Sequence, residues 1–532
     1  MNGIKCVDKL VEILTEHDTE YVFGYPGDQI LPLYNALRTS SIKHILVRHE
    51  QSAAHAADSY SRVKQKPGIC IATAGPGALN LVMGVATAYK DNVPLIVITG
   101  DVPTNIKGQD TFQDVDLNNI FKSITNKSFY VKTPEEAIQS LLLAYNLFED
   151  GIIGPVHINL PKNVQEELLH VDVTIEKTSN IEEINNNDIK SILKSINQSK
   201  KPLLIVGSGI IWADAIKELD EFLTKTKIPL TTTYPARGVI PENTKKNLGL
   251  IGNRGNSKTK FAAQNADLIL AFATRLSERT IKDINTKNII QINTKKQKTK
   301  HKYYQTNIKK VLKKLNENKI KTTSLKWIQE IEKQEIKPDT TVITRKENKL
   351  IPSQTIKTIL NTIKNHKNDI TITNDAGTHT TWTTILNTIT QPYELVFSGG
   401  FGPMGYAIPA SIGASFAKLQ NNIVAITGDG AFQMTQQELA TINEYQLPII
   451  IIIINNNKLG IIKQWQEMIY NHEYQIELEN PDFIKLAEAY NIKSKTVKTY
   501  KELIKTLEEA LNLKKPYLIE VPVIDQKIPL PK

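Results

Sequence analysis

Residues 428–457 read GDGAFQMTQQELATINEYQLPIIIIIINNN, and this stretch decides the fold. It follows Ile423-Val424-Ala425-Ile426-Thr427, a strand-like run that ends at the glycine-flanked Asp429. Gln436 to Tyr445 reads as helix, and six consecutive isoleucines, Ile449 to Ile454, lead into Asn455-Asn456. A short, wholly apolar run between turn signals fits a strand buried on both faces. Strand, acidic turn, helix, buried strand and polar tip make one βαβ unit. Its polar tips fall at the carboxyl ends of parallel strands, where open α/β sheets bind ligands. Asp429 and Asn456, 27 residues apart (429 to 456), supply hard oxygen ligands of the kind that hold Mg²⁺ on a diphosphate.

The 532 residues around this unit allow about three domains. Hydrophobic residues at 40% and charged residues at 23% place the chain among soluble globular enzymes. Six isoleucines fall far short of the ~20 apolar residues of a membrane span, so no membrane association is expected. Asp8, Glu12, Glu16 and Asp18 among Val7, Leu10, Val11 and Leu14 give the N-terminus an amphipathic helix pattern instead of an export signal. With only Cys6 and Cys70, both in apolar contexts, the expectation is reduced thiols and a cytoplasmic location. The net charge of +10 owes much to lysines between Lys295 and Lys326, without interleaved aromatics. That pattern reads as a solvated basic surface, with no nucleic-acid partner.

Residues 1–165 read as a first α/β domain. Tyr21-Val22-Phe23-Gly24 is a short strand ending in the turn Tyr25-Pro26-Gly27-Asp28, followed by a helix from Ile30 to Leu37. Ile42 to Val47 is a second strand, and Arg48-His49-Glu50-Gln51 opens an alanine-rich helix. Gly68 to Thr73 and Pro94 to Thr99 are further strands, the first leading into Ala74-Gly75-Pro76-Gly77-Ala78-Leu79-Asn80. Residues 345–532 repeat this alternation, and 186–335 form a central Rossmann-like domain opening with Pro202-Leu203-Leu204-Ile205-Val206-Gly207. Polar segments, about 166–185 and Lys337-Pro338-Asp339, read as linkers. The fold class is therefore α/β, with three doubly wound parallel-sheet domains.

The GDG motif with its later Asn-Asn resembles the signature of thiamine diphosphate enzymes. FGYPGDQILPLY, RHEQSAAHAADSY, CIATAGPGALN, GQDTFQDVD and GPVHINLPKNVQ together resemble the catalytic subunit of the acetohydroxyacid (acetolactate) synthase family. The resemblance spans nearly the whole chain and is weakest in the middle. A glutamate that opens a helix ordinarily complements the helix dipole. In this motif, the resemblance makes Glu50 the catalytic acid that shares a proton with the pyrimidine N1′ of the cofactor. It also implies cofactor contacts at Gly27, Pro76 and Asn80, and substrate contacts at Phe112 and Gln113.

In the third domain, Asn374-Asp375-Ala376-Gly377-Thr378-His379 resembles the family's diphosphate-contacting turn, with Thr378 in place of glutamine. Gly399-Gly400-Phe401-Gly402-Pro403-Met404-Gly405 resembles the segment that bends the cofactor, through a carbonyl near Gly402 and the Met404 side chain. Gly428, Gly430 and Ala431 flank the metal turn, where Asp429, Asn456 and the Lys458 carbonyl are the implied Mg²⁺ ligands. Gln464-Trp465-Gln466-Glu467 implies that Trp465 borders the acceptor pocket. The central domain of the family carries FAD, but here Asn253-Arg254-Gly255, Arg275-Leu276-Ser277-Glu278-Arg279 and Gln291-Ile292-Asn293-Thr294-Lys295 depart from its pattern. Flavin binding is left open.

The resemblance implies decarboxylation of pyruvate and condensation of the two-carbon unit with pyruvate or 2-oxobutyrate, in branched-chain amino-acid synthesis. It further implies a homodimer or homotetramer with active sites at the subunit interface, and a separate regulatory subunit. Asp28, Gln29 and Asn126, the last where the family usually has lysine, keep open another thiamine-dependent 2-oxoacid decarboxylase or lyase. A non-catalytic paralogue is the other alternative.

Overall fold

The computed structural model describes residues 3–171, 173–174, 181–295, 297, 299–335, 349–366 and 369–529. Lys337-Pro338-Asp339, most of the polar segment between Asp172 and Asn180, and the start of the third domain at 345–348 lie outside the described residues.

Three parallel six-stranded sheets make up the chain. The first contains β1 (Tyr21–Gly24), β2 (Lys43–Leu46), β3 (Gly68–Ala72), β4 (Leu95–Asp101), β5 (Lys127–Tyr130) and β6 (Pro155–Pro161), in the order β2-β1-β3-β4-β6-β5. The central sheet contains β7 (Pro202–Val206), β8 (Leu230–Thr232), β9 (Asn247–Leu250), β10 (Leu268–Phe272), β11 (Ile289–Asn293) and β12 (Lys302–Gln305), in the order β12-β11-β10-β7-β8-β9. The third contains β13 (Thr371–Asn374), β14 (Leu395–Val396), β15 (Ile423–Gly428), β16 (Ile449–Asn455), β17 (Lys493–Thr496) and β18 (Tyr517–Pro522), in the order β14-β13-β15-β16-β18-β17.

Counted from its own first strand, each outer sheet follows the order 2-1-3-4-6-5, so the outer domains repeat one topology. The central sheet follows 3-2-1-4-5-6, the order of dinucleotide-binding domains. β16 pairs β15 from Ile449 to Ile454 and β18 from Ile450 to Asn455 and is buried throughout, which is why its isoleucine run needs no polar alternation.

The outer domains meet through the helices Glu50–Lys64 and Ala407–Ala417. Both are built of small residues at the contact. A Cβ on Gly413 would lie 1.9 Å from the Ala56 carbonyl oxygen, so only glycine permits this approach. One apolar core runs through the junction, from Phe23 and Tyr60 to Phe416 and Ile451. The Glu50 helix starts two residues later than its sequence suggests. His49 is extended, and its Nδ1 accepts the Gln51 N–H, capping the helix. Gln436 to Tyr445 divides into a 3₁₀ turn, Gln436–Glu438, and a helix, Leu439–Glu444.

Lys295 departs from the expected solvated basic surface. Its ammonium reaches the side-chain oxygens of Asn92 at 2.9 Å and Asn126 at 3.0 Å, across the junction of the first and central domains. Burial, with the nearby Arg275 charge, pushes its pKa down to about 8. No described helix is long and apolar enough to cross a membrane, and both cysteines are buried and free.

Candidate active site

Apart from Phe112 and Trp465, the predicted residues fall into two sets, each at the carboxyl edge of an outer sheet. In the first set, Glu50 opens its helix directly after β2, and Asn80 Nδ2 donates to Glu50 Oε2 at 2.9 Å. Pro76 and Asn80 bound the short helix that follows β3. Gly77 and Gly27 both stand against Thr73: a Cβ on Gly77 would lie 2.7 Å from Thr73 Cγ2 and 3.1 Å from Glu50 Oε1. Gln113 closes on the same turn, its carbonyl oxygen 2.6 Å from where a Gly75 Cβ would lie. Phe112 instead points outward and is 83% exposed. The set forms an open cradle around one carboxyl group, with an amide holding that carboxyl in place.

The second set gathers after β13, β14, β15 and β16. His379 is buried, its Nε2 has no hydrogen-bond partner, and burial pushes its pKa down to about 4. A neutral imidazole with an orphaned nitrogen at a strand end suits a ligand oxygen. Gly428 approaches this ring, a Cβ there lying 3.3 Å from His379 Cε1. Thr378 and Asn456 meet at Gly460, where a Cβ would lie 3.1 Å from Thr378 Cγ2 and 3.0 Å from Asn456 Nδ2. Gly430 faces Met404, whose Cε is 3.5 Å from the corresponding position, and Ala431 is buried behind it. Gly402 and Gly405 have φ of +68° and +83°, conformations that favour glycine.

Asp429 is buried, and burial raises its pKa. Asn480 Nδ2 donates to Asp429 Oδ2 at 2.8 Å, and lies 3.0 Å from Asn455 Oδ1 and 2.8 Å from Asn457 Oδ1. Three oxygens therefore converge on one electropositive amide beside the metal turn. Asn456 Oδ1 faces the Lys458 N–H at 3.4 Å, and the Lys458 carbonyl accepts the Gly460 N–H at 3.0 Å, leaving it a second lone pair. Among the described residues no group of three His, Cys, Asp or Glu side chains is placed to hold a metal ion. The donor set is one carboxylate with neutral oxygens, which fits Mg²⁺ completed by phosphate oxygens and water.

Among the described residues, no hydrogen bond joins the two sets; Glu50 bonds within the first domain and Asp429 within the third. A cavity of about 890 Å³ lies at the carboxyl ends of the central strands, lined by Gly207, Arg254, Arg275 and Lys295, and extends to Gly377 and Trp465. Gly207 itself serves strand packing, since a Cβ there would lie 2.2 Å from the Ala273 carbonyl oxygen. Trp465 is carried by the helix Gly460–Tyr470 and is 42% exposed at the cavity rim.

The sequence reading did not single out Asn480, which sits 51 residues beyond Asp429. Nor did it single out Asp375, quoted only as part of its turn. Asp375 is fully buried and accepts the backbone N–H groups of Ala376, Gly405 and Ala407 at 2.8, 2.9 and 3.1 Å, tying the His379 turn to the Met404 loop. Burial pushes its pKa up to about 6 against those three donors.

A carboxyl group held by an amide at one sheet edge, and a neutral histidine with oxygen donors at the equivalent edge, fit the chemistry of a thiamine pyrophosphate (thiamine diphosphate) enzyme. The family models agree: the N-terminal binding domain of these enzymes matches residues 4–120, their central domain 189–315, and their C-terminal binding domain 375–521. The chain is 36% identical to the probable acetolactate synthase large subunit of Methanocaldococcus jannaschii, over 99% of this chain and 93% of that protein. It is 33% identical to the acetolactate synthase large subunit of Haemophilus influenzae, over 97% of this chain and 93% of that protein. Identity is also 33% to the mitochondrial acetolactate synthase catalytic subunit of Saccharomyces cerevisiae, over 98% of this chain and 80% of that protein. The chain belongs to the acetolactate synthase large-subunit family.

Proposed function

We propose that this chain is the catalytic subunit of an acetolactate synthase, decarboxylating pyruvate and joining the two-carbon unit to a second 2-oxoacid, pyruvate or 2-oxobutyrate. The observation that carries the reading is that Asn80 holds Glu50 at one sheet edge, while the unpartnered His379 Nε2, Asp429 and Asn456 stand at the equivalent edge. Bound thiamine diphosphate supplies a carbon nucleophile and an electron sink for loss of CO₂. Glu50 would share its proton with the pyrimidine N1′, while Pro76, Asn80 and Gly27 border that ring. Gly377, Thr378 and His379 would hold the diphosphate. Asp429, Asn456 and the Lys458 carbonyl would hold Mg²⁺, and Met404 with the Gly402 carbonyl would set the bend of the cofactor. Gln113 and Phe112 would border the donor oxoacid and Trp465 the acceptor.

Each active site on this reading takes Glu50 from one copy and Asp429 from another, in a homodimer or a homotetramer of such pairs. Support comes from the hydrogen bonding of Glu50 and Asp429 each within its own domain and from the exposed Phe112, Phe401 and Ile469. The central cavity is of a size and position for a dinucleotide, and we assign it to FAD, which supplies no step of the carboligation. A small regulatory subunit and a cytoplasmic setting complete the proposal, the latter supported by the two free, buried cysteines.

The test is product formation by the purified chain from pyruvate, thiamine diphosphate and Mg²⁺, with and without FAD. Acetolactate supports the carboligase, and its dependence on FAD supports the cavity assignment. Acetaldehyde alone would make the protein a 2-oxoacid decarboxylase instead, and failure to bind thiamine diphosphate would make it a non-catalytic paralogue.

A further inference from the structure

Glu50 and Met404 follow β2 and β14, the second strands of the two outer domains, and each loop is gripped by a buried carboxylate of the opposite domain. Glu438 is fully buried, and its two oxygens accept the Arg48 N–H at 3.0 and 3.2 Å. The Thr441 hydroxyl donates to Glu438 Oε2 at 2.8 Å, and the Tyr445 hydroxyl accepts the Leu46 N–H at 3.0 Å. The residues leading into Glu50 are thus fixed from the third domain.

The converse contact runs from the first domain. Asp91 Oδ1 accepts the Gly400 N–H at 2.7 Å, and Asp91 Oδ2 accepts from Arg62 Nη2 at 2.8 Å. Arg62 also donates to both oxygens of Asp58, at 2.9 and 3.1 Å, and Asp58 Oδ2 accepts the Tyr406 hydroxyl at 2.5 Å. The loop that carries Gly402 and Met404 is held at Gly400 and at Tyr406. Asp91 ends the helix after β3 (Val82–Asp91), and Glu438 ends the 3₁₀ turn in the helical segment after β15. Both carboxylates therefore lie in the helical segment between the third and fourth strands of their sheets, Asp91 at the end of its last helix and Glu438 just before the start of its own, and each reaches across to the other domain's second loop.

A buried ion pair such as that of Asp91 with Arg62 adds little stability over apolar side chains of the same volume, and a buried carboxylate held by neutral donors, as Glu438 is, costs desolvation, so stability alone does not account for these groups. What they supply is the location of two backbone N–H groups, one before Glu50 and one before Met404. We infer that Glu438 and Asp91 are reciprocal positioning residues, Glu438 setting Glu50 and Asp91, braced by Arg62, setting the Gly402–Met404 loop. The inference rests on the thiamine diphosphate reading above. It also gives the helix Glu50–Lys64 two tasks: it presents Glu50 at its start and, roughly 12 to 18 Å further along its axis, holds the other half-site through Asp58 and Arg62.

The experiment compares the full chain with Glu438→Gln and Asp91→Asn, which keep volume but replace one accepting oxygen by a donor. Backbone amide exchange is measured first, on cofactor-free protein. Glu438→Gln speeds exchange about tenfold in residues 46–50, and Asp91→Asn does so in 397–406, each sparing the other loop. The C2 proton exchange of thiamine diphosphate is then measured at saturating cofactor and Mg²⁺, and falls about tenfold to a hundredfold in both variants. Tyr406→Phe, which removes one hydroxyl, carries the same expectation for 397–406 should Asp91→Asn not fold. Loop exchange at the wild-type rate overturns the inference, as does faster loop exchange with an unchanged C2 rate. A wild-type chain that promotes no C2 exchange overturns the thiamine reading, whereas an active wild type with unaffected variants overturns this inference alone.

Discussion

Replacing Glu50 with glutamine separates proton transfer from structure. The Glu50 side chain is half-buried in the first turn of its helix and accepts one hydrogen bond, from Asn80 Nδ2 at 2.9 Å. Glutamine has the same volume and keeps an oxygen for Asn80, so that bond survives. The structural loss is a negative charge at a helix N-terminus, about 0.3–1 kcal/mol at such a site. In a chain of this length that shifts the melting temperature by roughly 2 °C or less. A general acid–base group contributes about 10²- to 10⁴-fold to rate, or about 3–5 kcal/mol of barrier. The effect on chemistry is therefore several times the effect on folding. C2 proton exchange of bound thiamine diphosphate in deuterium oxide, read by quenched NMR at saturating cofactor, measures the first; thermal melting measures the second. Exchange at the wild-type rate in a folded, cofactor-loaded Glu50→Gln protein would refute the role given to Glu50.

Three further outcomes are expected. Mixing equal amounts of Glu50→Gln and Asp429→Ala chains should restore about a quarter of wild-type activity per chain, because half of the reassorted dimers carry one site with both groups intact; no recovery after subunit exchange would place Glu50 and Asp429 in one chain's site. Trp465→Leu should change the preference between pyruvate and 2-oxobutyrate as acceptors by about tenfold while leaving C2 proton exchange alone, and an unchanged acceptor ratio would remove Trp465 from the pocket. Burial pushes His44 and His379 down to about 4 and His55 and His157 down to about 3. Their stabilisation is complete above the ordinary histidine pKa of about 6.5 and is lost as pH falls toward 4. Asp375, pushed up to about 6, acts in the opposite sense, since its burial penalty is relieved on acidification. These five groups together take up about three protons on unfolding at pH 5, and Asp101, Asp429 and Glu438, also raised by burial, act with Asp375 to make the fall in stability shallower. Urea midpoints at pH 7 and pH 5 check this, and equal midpoints would contradict it.

The parts legible in the sequence are those where one residue type has one plausible environment. The isoleucine run of β16 could only be a doubly buried strand, and a glycine-flanked aspartate at the end of β15 could only lie on the ligand edge of a parallel sheet. Long-range polar contacts were not legible. Asn480 reaches Asp429 from a loop beyond an intervening helix, and its neighbours in sequence carry no pattern that marks it. No motif in the sequence marks Asp91, Arg62 or Glu438; all three are buried, through contacts that run between the two outer domains. Lys295 shows the same limit in a basic stretch. Its neighbours supply the solvated charge expected of lysine, while its own ammonium is drawn into a domain junction by two asparagine oxygens.

The duplicated topology explains why the half-sites correspond position by position. After the first strand of each outer sheet stand Gly27 and the Gly377–His379 turn; after the second, Glu50 and the Gly402–Met404 loop. After the third come Pro76 to Asn80 and Gly428-Asp429, and after the fourth Gln113 and Asn456 to Lys458. Parallel sheets expose their strand carboxyl ends on one edge, so the fold fixes where the ligand groups stand and the loops decide which chemistry they carry. One edge presents a carboxylic acid suited to a ring nitrogen, and the other presents a neutral histidine and oxygen donors suited to a diphosphate and its metal. Two copies of one domain, packed through equivalent helices, each keep their own edge, and no hydrogen bond bridges the two edges among the described residues. On the proposed reading, a single chain then owns two halves that belong to different sites. A twofold pairing of chains makes two complete sites at once, each with the acid of one copy and the metal of the other. Asp91 and Glu438 then each run from one outer domain to a loop of the other, so each half-site of a chain is braced by the domain that carries the other half-site.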